Sequence, residues 1–542
     1  MNRTTLSLLA AATALAAVTG FGVLTAPDGT DPAAGAKAPA RLPVERSALL
    51  CPAPSTSEVA ETVYTSFTPP AAAGGAESQK GQAELKPSAA AANGTTADPG
   101  KAGPDKADGS ETDEPKADAD KADADKADTA KKPAVADKAV VTLAQPGKPV
   151  AAEADGADAP ALVGTASGRL APGWTTQQTT MVPAGGARGL LGVSCTAPDT
   201  DFWFPGASTA RERQDYVHLT NPDDAAAVVD IELYGPNGAL KSQLSDGIPV
   251  PARSSVPVLL STLTSDPAAA DATVHVTTRS GRVGAVVRSA DDTTGSDWLP
   301  ASADPAASLV LPGIPADATS VRLVAYAPGE SDADLKIRLA SPTGAITPAG
   351  GESLHVKSGM TASIDLKDVT KGEAGSLLLS PSQPGRATPV VAALRVVRGK
   401  GDKQEVAFIP ATGPVGERAT AADNRAKGTV LSLTAPTATA QVKVTASAGT
   451  EAGAQTTKTY TVKGGTTLAI PTPPVPAGLK GSYALTVETV SGGPVHAART
   501  LEVPQDGIPM FTVQTLSDDR GTVEVPVAEQ DLSVLDDRAK GS

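Results

Sequence analysis

One strand pair, written three times, constrains this chain more than any other feature. Val217–Gly238 (VHLTNPDDAAAVVDIELYGPNG) returns as Val321–Gly344 (VRLVAYAPGESDADLKIRLASPTG) and again as Leu431–Gly449 (LSLTAPTATAQVKVTASAG). Each copy reads as a short strand, a polar corner and a second strand in which apolar residues alternate strictly. The alternating sets are Val229, Ile231 and Leu233; Leu335, Ile337 and Leu339; and Val442, Val444 and Ala446. A period of two puts each set on one face and, in the first copy, Asp230, Glu232 and Tyr234 on the other. That pattern marks a half-buried antiparallel strand.

The pattern continues downstream in the same order. Asn237-Gly238 supplies the positive-φ residues of a tight hairpin turn, followed by Ile248/Val250, Val256/Val258, Val274/Val276 and Val283/Ala285. The second copy repeats this with Leu354/Val356, Ile364/Leu366, Leu377/Leu379 and Val390/Ala392, and the third with Tyr460/Val462, Leu468/Ile470, Leu485/Val487 and Val495/Ala497. Trp298, Phe408 and Phe511 close the copies at equivalent points and are expected in their cores. Roughly six or seven short strands per hundred residues is the signature of an immunoglobulin- or fibronectin-like sandwich. The expected fold is therefore all-β: tandem β-sandwich repeats over 216–312, 320–411 and 429–526, then a polar tail over 527–542.

The amino-terminal part differs. Arg3 precedes an uncharged run, Thr4–Leu24, and residues 1–26 read as a hydrophobic helix serving as a signal anchor or a cleaved signal peptide. Residues 41–210 read as a degenerate split β-domain of the same kind, which Asp201–Gly206 (DFWFPG) is expected to close. An Ala-, Lys- and Asp-rich insertion, 71–158, interrupts it and contains KADADKADADKADTAKK at Lys116–Lys132 and a strand-like island at Ala139–Ala144. The Lys-interleaved acids lack the spacing and glycine of an EF-hand, and no apolar face exists to pack, so the insertion is expected to be disordered. Cys51 and Cys195 are the only cysteines, and in an exported chain they are expected to form one disulfide across that insertion.

A net charge of -14 opposes capture of nucleic acid or anionic polymer. No GxSxG elbow, SxxK pair, HExxH helix or phosphate-binding loop occurs, and no cofactor is expected. His218, His275, His355 and His496 do not recur between copies, and they read as scattered surface residues rather than ligands or bases. The acids Asp291, Asp292 and Asp297, with Thr293 and Gly295, could clasp a calcium ion, although Asp, Thr and Gly are equally good turn formers. Aromatics are only 3% of the chain. With Trp203 and Trp298 placed in cores, Trp174 alone remains for a sugar platform, so glycan binding is weakly supported.

Several segments, LLCPAP, SCTAPDTDFWFPG, YVHLTNP, the GSDWLP…SLVLPGIP run and TVEVP, resemble an uncharacterised, domain-of-unknown-function family of exported actinobacterial cell-envelope proteins. The resemblance covers about 48–70 and 185–526. It implies an extracytoplasmic β-rich protein without assigned catalytic residues, and a membrane glycosyltransferase as a neighbour. The expected function is a non-catalytic structural or interaction scaffold, a rod of sandwiches with a protein partner in the envelope. It would be anchored in the membrane through its amino terminus or secreted into the cell-wall space. The alternative is a wall-glycan-binding module or an accessory subunit of an envelope glycosyltransferase.

Overall fold

The computed structural model describes residues 40–70, 80–90, 138–383 and 385–525. The amino-terminal apolar segment (1–26), the Lys-Asp repeat and the polar tail (527–542) lie outside the described residues. The chain divides into two units, one of them Val44–Gly521. The described part of the other is a two-stranded antiparallel ribbon, Ala40–Pro43 with Thr522–Val525, in register Leu42↔Val523 and with Arg41 paired to Glu524.

Within Val44–Gly521 the strands make four sandwiches of antiparallel sheets sharing one strand order. The third shows it most simply. Its opening strand Leu309–Ile314 pairs with Gly375–Pro381, which pairs with Ala333–Ala340, which pairs with Ser353–Val356. The facing sheet runs Thr361–Asp365, Ala318–Tyr326, Val391–Lys400, Lys403–Pro410. The second sandwich repeats this from Asp201–Ala207 to Gly295–Leu299, and the fourth from Ala419–Asn424 to Phe511–Leu516. The first repeats it from Arg46–Cys51 to Gly189–Ser194. The alternating sets fall inward as their period requires: Val229, Ile231 and Leu233, Leu335, Ile337 and Leu339, and Val442, Val444 and Ala446 are all buried.

Three expectations are corrected. Asp201–Ala207 does not close the first domain; it pairs with Ala272–Ser280 and opens the second sandwich. Likewise Leu309–Ile314, assigned by sequence to the end of 216–312, opens the third. The insertion 71–158 is not one disordered block either. Gln82–Pro87 pairs with Leu162–Ser167 and with Val141–Leu143, and Val150–Asp155 pairs with Glu61–Phe67. In QAELKP only Ala83 and Leu85 are fully buried, too thin an apolar signal to stand out from an Ala-Lys background. The two-residue strand Ala89–Ala90 adds in parallel to the edge strand Ser254–Leu259 of the second sandwich.

The sandwiches do not form a rod. The first meets the fourth, so the four close on one another. Phe67 of the first packs with Ala422 and Ala484 of the fourth, and Leu190 packs with Leu501 and Met510. Thr179 Oγ1 donates to Asp423 Oδ2 at 2.7 Å across the same seam. Closure explains why several strands do not alternate: Gly189–Ser194, Gly295–Leu299 and Leu309–Ile314 are buried on both faces.

Candidate functional site

The closing aromatics lie in the seams rather than in their own cores. Trp298 packs among Ala60, Val182, Leu191 and Val193 of the first sandwich. Phe408 of the third joins the core of the second, beneath the Arg213 guanidinium at 5.3 Å. Phe511 of the fourth joins the core of the third, beneath Arg398 at 4.8 Å. Trp203 stacks on His275 at 3.6 Å and on Tyr326 of the third sandwich at 5.4 Å. Trp174, which sequence left for a sugar platform, is core in the first sandwich and donates its indole N–H to Ser66 Oγ at 2.8 Å.

Where the closing strands meet, buried charged and polar groups from all four sandwiches gather into a hub. Gly189–Ser194 is an edge strand, and its outward amides need acceptors. Leu190 N–H donates to Glu405 Oε1 of the third sandwich at 2.9 Å, and Gly192 N–H donates to Asp297 Oδ1 of the second at 3.0 Å. Asp297 also accepts from Thr512 Oγ1 of the fourth at 3.1 Å. Gly192 permits this approach, since a Cβ there would fall 2.5 Å from Thr512 Cγ2. Gly295, at φ +90°, lies against Glu405 Oε2, where a side chain would be both strained and crowded.

Both acids and Arg499 are 0% exposed. Burial pushes Asp297 well above the usual carboxylate range, against the donors Gly192, Trp298 and Thr512. Burial pushes Glu405 up to about 8, opposed only by the Leu190 amide and by Arg188. Arg188 Nη1 is 3.8 Å from Glu405 Oε2, and its Nη2 donates to the Gln404 carbonyl at 2.9 Å. Arg499 donates to Gln177 Oε1 at 3.0 Å, and burial lowers its guanidinium to about 10. The same Gln177 oxygen accepts from the Asp423 amide. Chemically, this set ties strands from different sandwiches together.

The residues singled out by sequence go elsewhere. Cys51 and Cys195 form the expected disulfide, with Cα atoms 4.5 Å apart across a separation of 144 residues. The bond secures the chain directly after the hub strand Gly189–Ser194. The candidate calcium loop disperses: Asp291 accepts from the Thr293 and Thr294 amides and pairs with Arg395, while Asp297 turns into the hub. No group of three or more His, Cys, Asp or Glu able to hold a metal occurs among the described residues.

The reading of four surface histidines is corrected for two of them. His218 is buried edge-on against Trp298 at 5.1 Å and pushed down to about 3 by burial, and His496 is buried against the Thr412 carbonyl. His275 lies between Asp201 and Glu232, each at 3.2 Å, and His355 pairs with Asp334 at 2.7 Å. His355 lines an open groove of about 600 Å³ with Glu330, Asp332, Asp334, Gln383 and Arg386.

Sequence reading missed Glu405, Arg188, Arg499, Asp423 and Gln177. A signal for one of them existed, and the same signal marks Asp297. A charge inside a non-alternating apolar run (Glu405 in EVAFIP, Asp297 in GSDWLP) marks a strand covered on both faces whose charge needs a buried partner.

Fold and hub together define a class: tandem sandwiches built on a shared order of eight strands that close on themselves through their last strands. Within it, the chain belongs to a family of unknown function (DUF5719), whose model matches residues 150–473, more than half of the sequence. No curated protein and no solved structure matches the chain significantly.

Proposed function

We propose that this chain is an exported, membrane-tethered, non-catalytic protein that serves as a structural or interaction scaffold in the cell envelope. The observation that carries this reading is the use made of the buried charged groups. Asp297, Glu405, Arg499 and Asp423 all bind strands of neighbouring sandwiches, so these buried polar groups hold its parts in fixed relation. The disulfide suits an oxidising compartment, and the apolar run Thr4–Leu24 suits a tether. The test is crosslinking and recovery of partners from native membranes, with outward polar residues replaced in blocks, one sandwich at a time. Graded loss of partner recovery across broad surfaces is expected. Abolition of function by one small cluster, with fold and partners retained, would defeat the scaffold reading.

A second reading, binding of wall glycan, has one observation in its favour. The groove at Glu330–Thr388 offers carboxylates, an amide and a guanidinium at one mouth, groups that suit a polyhydroxylated ligand. Calorimetric titration with wall oligosaccharides decides it: binding lost in Arg386→Ala and Asp332→Ala supports the reading, and no heat at millimolar ligand removes it.

A further inference from the structure

Of Asp297 and Glu405, both buried in the hub, Glu405 has the fewer donors to support a charge. Glu405 is completely buried, and one oxygen, Oε1, accepts the Leu190 amide. Its other oxygen, Oε2, has no hydrogen-bond partner. The charged groups around it can be named element by element. From the first sandwich comes Arg188, whose Nη1 stands off at 3.8 Å and whose Nη2 is held by the Gln404 carbonyl. From the second comes Asp297, whose own carboxyl burial holds well above the usual carboxylate range. On the adjacent strand of its own sandwich, Arg398 is opposite in register but donates to Asp317 at 2.7 Å and to Glu502 at 2.8 Å. From the fourth, Arg499 is held by Gln177. Asp297 is buried too and is likewise held well above the usual carboxylate range, but three donors meet its carboxyl where Glu405 has one. A buried carboxylate with one neutral donor and a cation beyond hydrogen-bonding distance is strongly disfavoured relative to the acid.

We propose that Glu405 is a proton-dependent latch on the closed ring: it enters the hub as the neutral acid, and losing that proton to solvent releases the free edge of Gly189–Ser194. The edge strand is the natural place for such control, because it touches the other three sandwiches at once. Leu190 meets Glu405 and Met510, Gly192 meets Asp297, and the Arg188 carbonyl accepts from the Ser296 amide at 2.8 Å. An ionised Glu405 would favour any arrangement that lets water reach it, and parting these strands provides one.

The sign follows from linkage. The closed form binds a proton that the open form has already lost at neutral pH, so closure is fully favoured at acidic pH and weakens as pH rises through the range of the buried acid, near 8. The effect sought is a fall in hydrogen-exchange protection of the Leu190 amide between about pH 6 and about pH 9. After correction for base-catalysed intrinsic exchange, it should reach roughly tenfold to a hundredfold. In Glu405→Gln, whose amide oxygen can still accept from Leu190, protection should be independent of pH across the same range. Equal protection of the wild type at both ends, or the same fall in Glu405→Gln, overturns the proposal. If the variant fails to fold, infrared spectroscopy of the wild type decides. With side-chain-labelled glutamate, which separates Glu405 from the buried Asp297 and Asp519, a label-shifted protonated-carboxyl band present at pH 6 and lost by pH 9 supports the latch, and its absence at pH 6 refutes it.

Discussion

Replacing Phe408 with alanine tests whether the closing aromatics hold neighbouring sandwiches together. Phe408 belongs by chain to the third sandwich, yet its ring is 1% exposed within the core cluster of the second, with Phe204 and Leu299, beneath Arg213. Truncating a buried phenylalanine costs about 3–5 kcal/mol, and the lost cation–π contact accounts for about 0.5–2 kcal/mol of that in a desolvated setting. A total near 4 kcal/mol is therefore expected. The location of the loss is the sharper test. Leu394, on the inward face of the same sheet, packs in the core of the third sandwich, and Leu394→Ala costs a similar 2–5 kcal/mol. Peptide-resolved hydrogen exchange separates the two. Phe408→Ala should lower protection in Arg213–Thr220 and Gly295–Leu299 of the second sandwich as much as in Lys403–Pro410. Leu394→Ala should act first on Ala318–Tyr326 and Val391–Lys400. If Phe408→Ala spared the second sandwich while destabilising the third, the seam would not be where the packing places it.

Three further outcomes follow from the same structure. Replacing Cys51 and Cys195 together with serine should cost about 2–5 kcal/mol in urea unfolding, because the bond closes a long loop of the unfolded chain; an unchanged midpoint would contradict this. Arg418→Ala should cost about 3–5 kcal/mol, since Asp519 is buried and relies on Arg418 Nε at 2.6 Å; a cost below about 1 kcal/mol would show the pair to be solvated. His218 stays neutral in the fold while the unfolded chain takes up a proton below about pH 6.5, so its contribution is intact above that value and falls towards pH 3. His218→Phe should therefore gain stability relative to the wild type on acidification, by up to about 4 kcal/mol, and parallel acid profiles would refute the assignment.

Much of the fold was legible in sequence, for a definite reason. Strands with one wet face must alternate, and Val229/Ile231/Leu233, Leu335/Ile337/Leu339 and Val442/Val444/Ala446 did so with the predicted faces inward. Cys51 and Cys195 were legible because no other thiol competes. The opening strands were misassigned because they are covered on both sides. LVLPGI at Leu309–Ile314 and WFPG in Asp201–Ala207 carry no period and look like the ends of the units before them. The seams were invisible for the same reason. An aromatic such as Phe408 obeys identical burial statistics whether it fills its own sandwich or the next, and only the register of Val391–Lys400 with Lys403–Pro410 assigns it outward. The hub was hidden because its partners are far apart in sequence, Gln177 and Arg499 by 322 residues.

Closure of the first sandwich on the fourth is the claim on which the rest depends, and one double substitution tests it directly. A Cβ on Gly192 would lie 3.1 Å from Thr512 Cβ, close to disulfide geometry after a small adjustment. Gly192→Cys combined with Thr512→Cys should oxidise to an intramolecular bond between those positions, alongside the native Cys51–Cys195 bond, as read by mass mapping of the unreduced digest. Sandwiches strung out in a row would hold those positions apart by the length of two sandwiches, and both new thiols would remain free or bridge separate molecules.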